Sequence, residues 1–235
     1  MVPRRKRGGF CQQKNRLRRS CMIAAAFCFR RHPWIESYFP GSAAAAAKPR
    51  WSAALVNRGL RVGAFKCGPD YIDPMFHSRI IGAKSANLDL HFFSENTLRY
   101  LFAKNAADRD VSIIEGVMGY YDGLGLTSTK ASSYEVAQVT DSPVVLVVNA
   151  KGASLSVLAV IQGFLNFAPK SNIRGVLLNQ CSPMAYTALS RAIEERLGVA
   201  CYGYLPKMEN CSLESRHLGL VTADEVADLK EKMSA

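Results

Sequence analysis

Short runs of consecutive apolar residues recur along the chain, without the polar alternation that a half-exposed strand shows. The clearest is residues 143–148, Pro-Val-Val-Leu-Val-Val, and similar runs occupy 60–65, 111–114, 173–178 and 199–204. Such runs are typical of parallel strands that are covered on both faces. The sequence therefore predicts an α/β fold with a mostly parallel, doubly wound sheet.

Helical patterns lie between these runs. Apolar residues follow helical spacing in 94–106, 154–167 and 184–197, and residues 53–58 resemble the end of a helix that Gly59 caps. Residues 22–26 could form a first strand, although no recognisable loop follows them. Strands separated by helices of this length are the repeating unit of a parallel sheet, so the helical patterns support the same fold class.

The positive charge of the chain is confined to its start. The formal net charge is +11, from 30 Lys and Arg against 19 Asp and Glu, and residues 1–50 contain 12 of the basic residues and one acid. We therefore divide the chain into a basic segment, 1–52, that is disordered or aberrant, and a balanced domain, 53–235. The basic segment lacks interleaved aromatic residues and amphipathic spacing, so we expect neither a nucleic-acid nor a membrane partner.

The seven cysteines form no CxxC pair and no spacing of metal ligands. A scattered set of this kind indicates a reducing compartment and neither a disulfide scaffold nor a zinc site. The apolar stretch 21–29 is barely long enough for a signal peptide and has no cleavage site, and no run approaches the ~20 apolar residues of a membrane span. We expect a cytoplasmic protein.

Two carboxylates follow the first of the long apolar runs. Residues 65–77 read Phe-Lys-Cys-Gly-Pro-Asp-Tyr-Ile-Asp-Pro-Met-Phe-His, which places Asp70 and Asp73 in a loop between prolines. Phosphoryl transfer needs carboxylates that hold Mg²⁺ and orient the nucleophile. Capping of a turn is the other interpretation of both aspartates. Lys66 would reach a phosphate or a carboxylate substrate, or would be a solvated strand end.

A second acidic stretch follows the strand predicted at 111–114. Glu115 ends that strand, in the position from which a carboxylate faces Mg²⁺ in nucleotide-binding folds. Three glycines between 116 and 123 would let the backbone approach a ligand. Asp122 is a candidate catalytic residue, although Asp-Gly is also a common turn. An acid that ends a buried strand needs an ionic partner, which favours a functional Glu115.

Weaker candidates end the later strands. Asn179 could read a base edge or simply turn the chain, and Pro206 could form the wall of a base pocket or close the fold. His77 and His91 have no ligand spacing, and we interpret each as a surface or cap residue. The chain contains no G-x-x-x-x-G-K-[ST] motif that would cradle a triphosphate.

Three stretches together resemble one family. Residues 65–77, 115–123 and 216–220 resemble cobyrinic acid a,c-diamide synthase, in the same order, and Gly-Pro-Asp-Tyr-Ile-Asp-Pro is the most specific string. The resemblance covers about residues 53–235. It implies a P-loop NTPase type of fold, similar to dethiobiotin synthetase. It also implies an ATP- and Mg²⁺-dependent ligase of cobalamin biosynthesis, which activates the a and c carboxylates of cobyrinate or hydrogenobyrinate as acyl phosphates. Ammonia from glutamine then displaces phosphate.

The resemblance also implies roles for single residues. Asp70 and Asp73 would belong to the catalytic metal and phosphate loop, Glu115 would hold Mg²⁺, and Asp122 would position the corrinoid. The remaining matches are Tyr71 and Ile72 at the substrate, beside Lys66, and Asn179 at the adenine, beside Pro206. The matching motif at 216–217 carries no assigned role. A homodimer is compatible with this family.

The chain departs from the family pattern in two places. Similarity resumes at Ala53, and residues 27–52 do not resemble the expected P-loop; a shifted reading frame or a decayed gene would produce such a break. No cysteine lies in a glycine-flanked elbow, so we expect the glutaminase domain to be absent and glutamine to require a second chain. The alternatives are an inactive remnant or partner subunit of such a synthase, and a dethiobiotin-synthetase-like or partition-type ATPase.

Overall fold

The apolar runs form the strands of a single parallel sheet. The structure is a computed structural model that describes residues 21–26 (backbone only), 52–70, 74–75, 77–116 and 118–207. Within these residues the sheet has seven strands, in the order β3-β2-β4-β1-β5-β6-β7, and every neighbouring pair is parallel. The strands are β1 (Cys21–Ala26), β2 (Val62–Cys67), β3 (Lys84–Leu88), β4 (Val111–Gly116), β5 (Val144–Asn149), β6 (Ile173–Asn179) and β7 (Ala200–Leu205).

Helices cover the sheet and bury its apolar side chains. They are α1 (residues 52–57), α2 (Glu95–Ala106), α3 (Ser133–Thr140), α4 (Ser156–Asn166) and α5 (Pro183–Leu197). Serine side chains accept hydrogen bonds from the first-turn amides of three of them, at Ser94, Ser132 and Ser182. A serine cap of this kind typically contributes about 1 kcal/mol to helix stability. The largest core cluster includes Leu98, Ile114, Leu146, Ile161 and Ile193, all fully buried.

The fold class predicted from sequence is confirmed, and most predicted elements coincide with observed ones to within two residues. Strand β3 and helix α3 were not predicted. Within the basic segment 1–52, the first strand that the sequence allowed at residues 22–26 is present as β1 and pairs with β4 and β5, while the division of the chain at residue 52 stays a prediction. The rest of that segment, apart from Ser52, lies outside the described residues. No helix in the described part of the chain is long and apolar enough to cross a membrane.

The order of the strands defines where a ligand would bind. From β1 the chain passes to β2 on one side of the sheet, while the later strands β5 to β7 extend on the other side. Ligands of open parallel sheets bind beyond the carboxyl ends of the strands, where the order reverses. That point is the carboxyl end of β1, with β4 beside it. The loop that follows β1 lies outside the described residues, and the described side of this edge is formed by β2, β3 and β4.

Candidate active site

A buried ion pair links the carboxyl ends of β2 and β4. Lys66 and Glu115 are register partners on these neighbouring strands, and the Lys66 Nζ donates to Glu115 Oε1 at 3.1 Å. Lys66 is 3% exposed and Glu115 is 6% exposed. Charged side chains this deeply buried require an opposite charge, because desolvation of either one alone would cost several kcal/mol. The ionic partner expected for Glu115 is therefore confirmed as Lys66.

Two further side chains complete what we call the ionic cluster, which consists of Lys66, Asp70, His77 and Glu115. The His77 Nε2 lies 3.3 Å from Glu115 Oε2, and the Lys66 Nζ lies 3.6 Å from Asp70 Oδ2. His77 is buried, so its interpretation as a surface or cap residue was wrong. The Asp70 side chain is 26% exposed and is the most open member of the cluster. Asp70 is thus the carboxylate of the cluster that faces solvent, while the opposite charges of Lys66 and Glu115 compensate each other in the interior.

Local sequence explains why these side chains meet. Gly68 has φ +84°, a left-handed conformation that other residues adopt only with strain, and this turns the chain sharply at the end of β2. Its amide donates to the Leu88 carbonyl at 2.9 Å, which fixes the loop against β3. Asp70 follows two residues later. His77 begins a single wide helical turn, His77–Ile81, that packs beside β3 and points its imidazole back to Glu115.

Asn87 is a site residue that the sequence did not reveal. It is the register partner of Lys66 on β3, so Asn87, Lys66 and Glu115 form one row across three strands. The Asn87 Nδ2 donates to the Asp70 carbonyl oxygen at 2.8 Å. Asn87 therefore holds the backbone of the loop whose side chain completes the cluster. The signal was hidden because β3 reads Lys-Ser-Ala-Asn-Leu, a polar pattern with no apolar run.

Replacing Asn87 with alanine is expected to loosen the Asp70 loop without unfolding the sheet. The change removes the single side-chain hydrogen bond to the Asp70 carbonyl, a contribution of about 1 kcal/mol. Hydrogen exchange followed by mass spectrometry should show faster exchange in the peptide that contains residues 66–75. Ser85→Ala, two residues earlier on the same strand, is the matched control, since Ser85 Oγ makes no hydrogen bond among the described residues. Equal exchange in both variants would contradict the bracing role of Asn87.

Asp122 lies in a turn of its own, apart from these contacts. Its Oδ2 accepts a hydrogen bond from the Gly119 amide at 3.1 Å, and a Cβ at Gly119 would collide with the same carboxylate. Asp122 is exposed and remains open to a ligand. Its role as a catalytic residue stays a prediction. The turn interpretation is correct for the local geometry, since the Asp122 amide also donates to the Gly119 carbonyl at 3.0 Å.

Tyrosines fasten the Asp122 turn to the body of the fold. The Tyr121 hydroxyl donates to the Phe164 carbonyl on α4 at 2.7 Å, and Tyr120 donates to the Ser171 carbonyl. Burial raises the pKa of Tyr121 to about 12 and raises the pKa of Tyr120 above its ordinary value. Both hydroxyls are therefore neutral donors at physiological pH. Their bonds tie the glycine-rich turn to α4 and to the segment that precedes β6.

The remaining predicted site residues are spread along the same edge or lie outside the described residues. Asn179 is buried at the end of β6, where its backbone carbonyl accepts from the Ala150 amide at 2.8 Å. Pro206 is exposed directly after β7. Both are three or more strands away from β2 in the sheet order, on the far side of β1. Tyr71, Ile72 and Asp73, like Arg216 and His217, lie outside the described residues.

The ionic cluster contains two carboxylates, the kind of ligand that binds Mg²⁺ at phosphate sites. Within the described ranges, no group of three or more His, Cys, Asp or Glu converges on a common point. Mg²⁺ at phosphate sites needs fewer protein ligands, since one or two carboxylates combine with phosphate oxygens and water. The Asp70 side chain is 26% exposed and could supply one such carboxylate, whereas both oxygens of the buried Glu115 already contact Lys66 and His77. The role of Asp70 and Glu115 as Mg²⁺ ligands stays a prediction.

Comparison with solved structures defines the class of fold. The chain is similar to chloroplast FtsY from Physcomitrella patens (TM-score 0.54, 11% identity, 80% of this chain and 59% of that one). It is also similar to the MinC:MinD complex of Aquifex aeolicus (TM-score 0.50, 12% identity, 82% of this chain and 84% of that one). At these identities the likeness concerns the fold alone. The chain has the fold of P-loop NTPases.

Comparison of sequences finds relatives that share one name. The chain is 46% identical over 182 residues to cobyrinate a,c-diamide synthase of Clostridium acetobutylicum (77% of this chain, 41% of that protein). It is 42% identical over 195 residues to the protein of that name from Fusobacterium nucleatum (83% of this chain, 44% of that protein). The chain is a homologue of the cobyrinate a,c-diamide synthases, and the resemblance seen in the sequence is confirmed. It spans about two fifths of the length of these relatives. No protein-family model matches it.

Proposed function

We propose that this chain is the amide-ligase domain of an ATP-dependent synthase that amidates the a and c carboxylates of cobyrinate or hydrogenobyrinate. The observation that carries the proposal is the ionic cluster, which lies at the ligand-binding edge of a P-loop NTPase type of sheet, next to β1. The homologues supply the substrate class, because their shared name is cobyrinate a,c-diamide synthase. The role belongs to cobalamin biosynthesis.

The proposed reaction has two steps. The γ-phosphoryl group of ATP moves to a carboxylate oxygen of the corrinoid, which gives an acyl phosphate and ADP. Ammonia then attacks the acyl carbon, the bond to the phosphate oxygen breaks, and the amide, inorganic phosphate and a proton leave. Such transfers depend on positioning and on charge stabilisation more than on covalent chemistry by the protein.

The described residues suit the charge and positioning parts of this reaction. When bound, Mg²⁺ would neutralise the phosphate charge, and Asp70 and Glu115 are the residues that would hold it. Lys66 lies between the two carboxylates and holds them in place, and the His77 Nε2 contacts the second oxygen of Glu115. Asp122 would position the corrinoid from the neighbouring loop.

The residues outside the described ranges, and those on the far side of β1, complete the proposed site. Asp73 would act with Asp70, while Tyr71 and Ile72 would line the corrinoid beside Lys66. Asn179 and Pro206 would contact the adenine. We propose that the ammonia comes from glutamine through a separate glutaminase domain or chain.

The test is a direct assay for amide formation. The purified chain is incubated with cobyrinic acid, ATP, Mg²⁺ and ammonium chloride, and the corrinoid is analysed by mass spectrometry for the monoamide and the diamide. We expect both products, with ADP formed in equal amount, and none when ammonium or ATP is left out. Absence of amide with ammonium in excess would reject the ligase activity for this polypeptide.

One observation favours a second candidate, a catalytically silent partner subunit. The chain lacks a G-x-x-x-x-G-K-[ST] motif, and the backbone amides of that loop normally cradle the phosphates of the nucleotide. Calorimetry with ATP and Mg²⁺ separates the two candidates. Heat of binding together with turnover supports the ligase. Binding of a homologous full-length synthase without any binding of ATP supports the partner subunit.

A further inference from the structure

Part of the sheet is buried on a face to which none of the described helices contributes an apolar side chain. Val145, Val147 and Leu177 are 2%, 5% and 5% exposed, and they form a cluster with the partly buried Leu205. All four residues belong to strands. We call the surface formed by Val145, Val147 and Leu177 the β5–β6 face. Strand side chains leave water only when a second layer covers the sheet, so another part of the molecule covers this face.

The direction of the chain explains why the described helices leave this face open. Helices α2 to α5 each lead to a strand that lies further toward β7, whereas α1 leads from β1 to β2, in the other direction. Because crossovers between parallel strands are right-handed, α2 to α5 lie on one face of the sheet and α1 lies on the other. The first group packs with Leu146 and Leu178, and α1 packs with residues of β2 and β4. Successive strand residues point to opposite faces, so the β5–β6 face is on the side of α1 and beside it.

The sequence after β7 contains a segment with the pattern and length that the β5–β6 face needs. Residues 222–233 read Thr-Ala-Asp-Glu-Val-Ala-Asp-Leu-Lys-Glu-Lys-Met, and Val226, Leu229 and Met233 have the spacing of one helix face. Thr222 and Glu225 have the spacing of a capping box, which marks the start of a helix. A helix over this segment would be about 18 Å long. A six-residue strand such as β5 is about 20 Å long, so the two lengths match.

The other long segments outside the described residues suit this face less well. Residues 27–51 join β1 to α1, and α1 packs with β2 and β4, so this connection leads away from β5. Prolines at 33, 40 and 49 also leave it no uninterrupted stretch as long as residues 222–233. Residues 1–20 contain eight Lys and Arg, which an apolar face would have to desolvate.

We propose that residues 222–233 form an amphipathic helix that packs on the β5–β6 face through Val226, Leu229 and Met233. The inference goes beyond the proposed function and does not depend on it. Its consequence for the site concerns the connection 206–221, which leaves β7 at the carboxyl edge of the sheet. A helix that begins at 222 would hold this connection along that edge. The motif at 216–217, which carries no assigned role, would then lie on the ligand-binding side of the sheet.

The test is a double-mutant cycle on the full chain, measured by urea denaturation followed by circular dichroism. Leu229→Ala and Val147→Ala should each lower the equilibrium constant for folding about 10- to 100-fold. Together they should lower it by about tenfold less than the product of the two effects, because both remove the same contact. Val148→Ala is the matched control, since Val148 is the next residue of β5, is 1% exposed and belongs to the cluster on the opposite face. Its effect should multiply with that of Leu229→Ala.

Hydrogen exchange of the unaltered chain is the second measurement and needs no substitution. Amides within residues 222–233 should exchange at least about 100-fold more slowly than those of an unfolded chain. Rapid exchange there, or effects that multiply in both mutant pairs, would overturn the inference. Protection of 27–51 with rapid exchange in 222–233 would assign the face to the connection after β1 instead. Protection of 222–233 that appears only as the concentration of the chain rises would assign the face to a second copy.

Discussion

Replacing Glu115 with alanine is expected to lower the free energy of unfolding by about 3–5 kcal/mol. The substitution leaves the ammonium group of Lys66 inside the sheet edge without its 3.1 Å partner, at 3% exposure. It also removes the carboxylate oxygen that lies 3.3 Å from the His77 Nε2. Urea denaturation followed by circular dichroism measures the change as a shift of the midpoint at constant slope. Lys66→Met combined with Glu115→Leu should recover most of the loss, because a buried pair costs nearly as much to desolvate as it returns.

The matched control is an ion pair at the opposite end of the same two strands. Arg61 precedes β2 and Asp110 precedes β4, and their side chains are joined by a 2.6 Å contact at the surface. Hydrogen bonds from Arg61 lower the pKa of Asp110 to about 2. Because the folded-state pKa is depressed, any stabilisation is present at neutral pH and is lost as the pH falls below about 4 toward 2. Solvent screens this exposed pair, so Asp110→Ala should change stability little. A similar loss in both variants would contradict the importance of burial.

The strands that could be predicted from sequence are those made of consecutive apolar residues, because such a composition indicates burial on both faces. Strand β5 reads Val-Val-Leu-Val-Val-Asn, and its apolar side chains are fully or almost fully buried between the helix layers. Strand β3 contains polar residues and lies at the edge of the sheet, where β2 is its one neighbour among the described strands. Strand β3 forms because it pairs with β2, and the local sequence pattern gives no information about that pairing. Helix α3 has eight residues, too few for a periodic signal to stand out.

Some features of the candidate site could also be predicted from sequence and others could not. Asp70 and Glu115 could be picked out as candidates because each lies at the end of a recognisable strand. The contact between Lys66 and Glu115 could not be predicted, because it follows from the register between β2 and β4 and joins residues that are 49 positions apart in the chain. His77 has no ligand spacing, and its place in the cluster depends on the turn that brings it back over β4. Contacts of this kind are tertiary, and residue spacing alone does not encode them.

Replacing Asp70 with asparagine is expected to lower kcat for amide formation by about 10²–10⁴-fold, the range typical for loss of a group that positions or deprotonates a reactant. Stability should change little, because the Asp70 side chain is the most exposed of the cluster and lies 3.6 Å from Lys66, which keeps Glu115 as its nearer partner. Steady-state kinetics gives kcat, and calorimetry gives the affinity for ATP with Mg²⁺, which should fall much less than turnover. Asp108→Asn, an exposed carboxylate beside Arg109 before β4, is the control and should leave kcat unchanged. Equal losses of turnover and nucleotide affinity in Asp70→Asn would mean that Asp70 shapes the loop without taking part in the transfer. We therefore expect the reaction to need the charge of Asp70, the cluster residue that is exposed to solvent. The buried pair of Lys66 and Glu115 stabilises the edge of the sheet beside it.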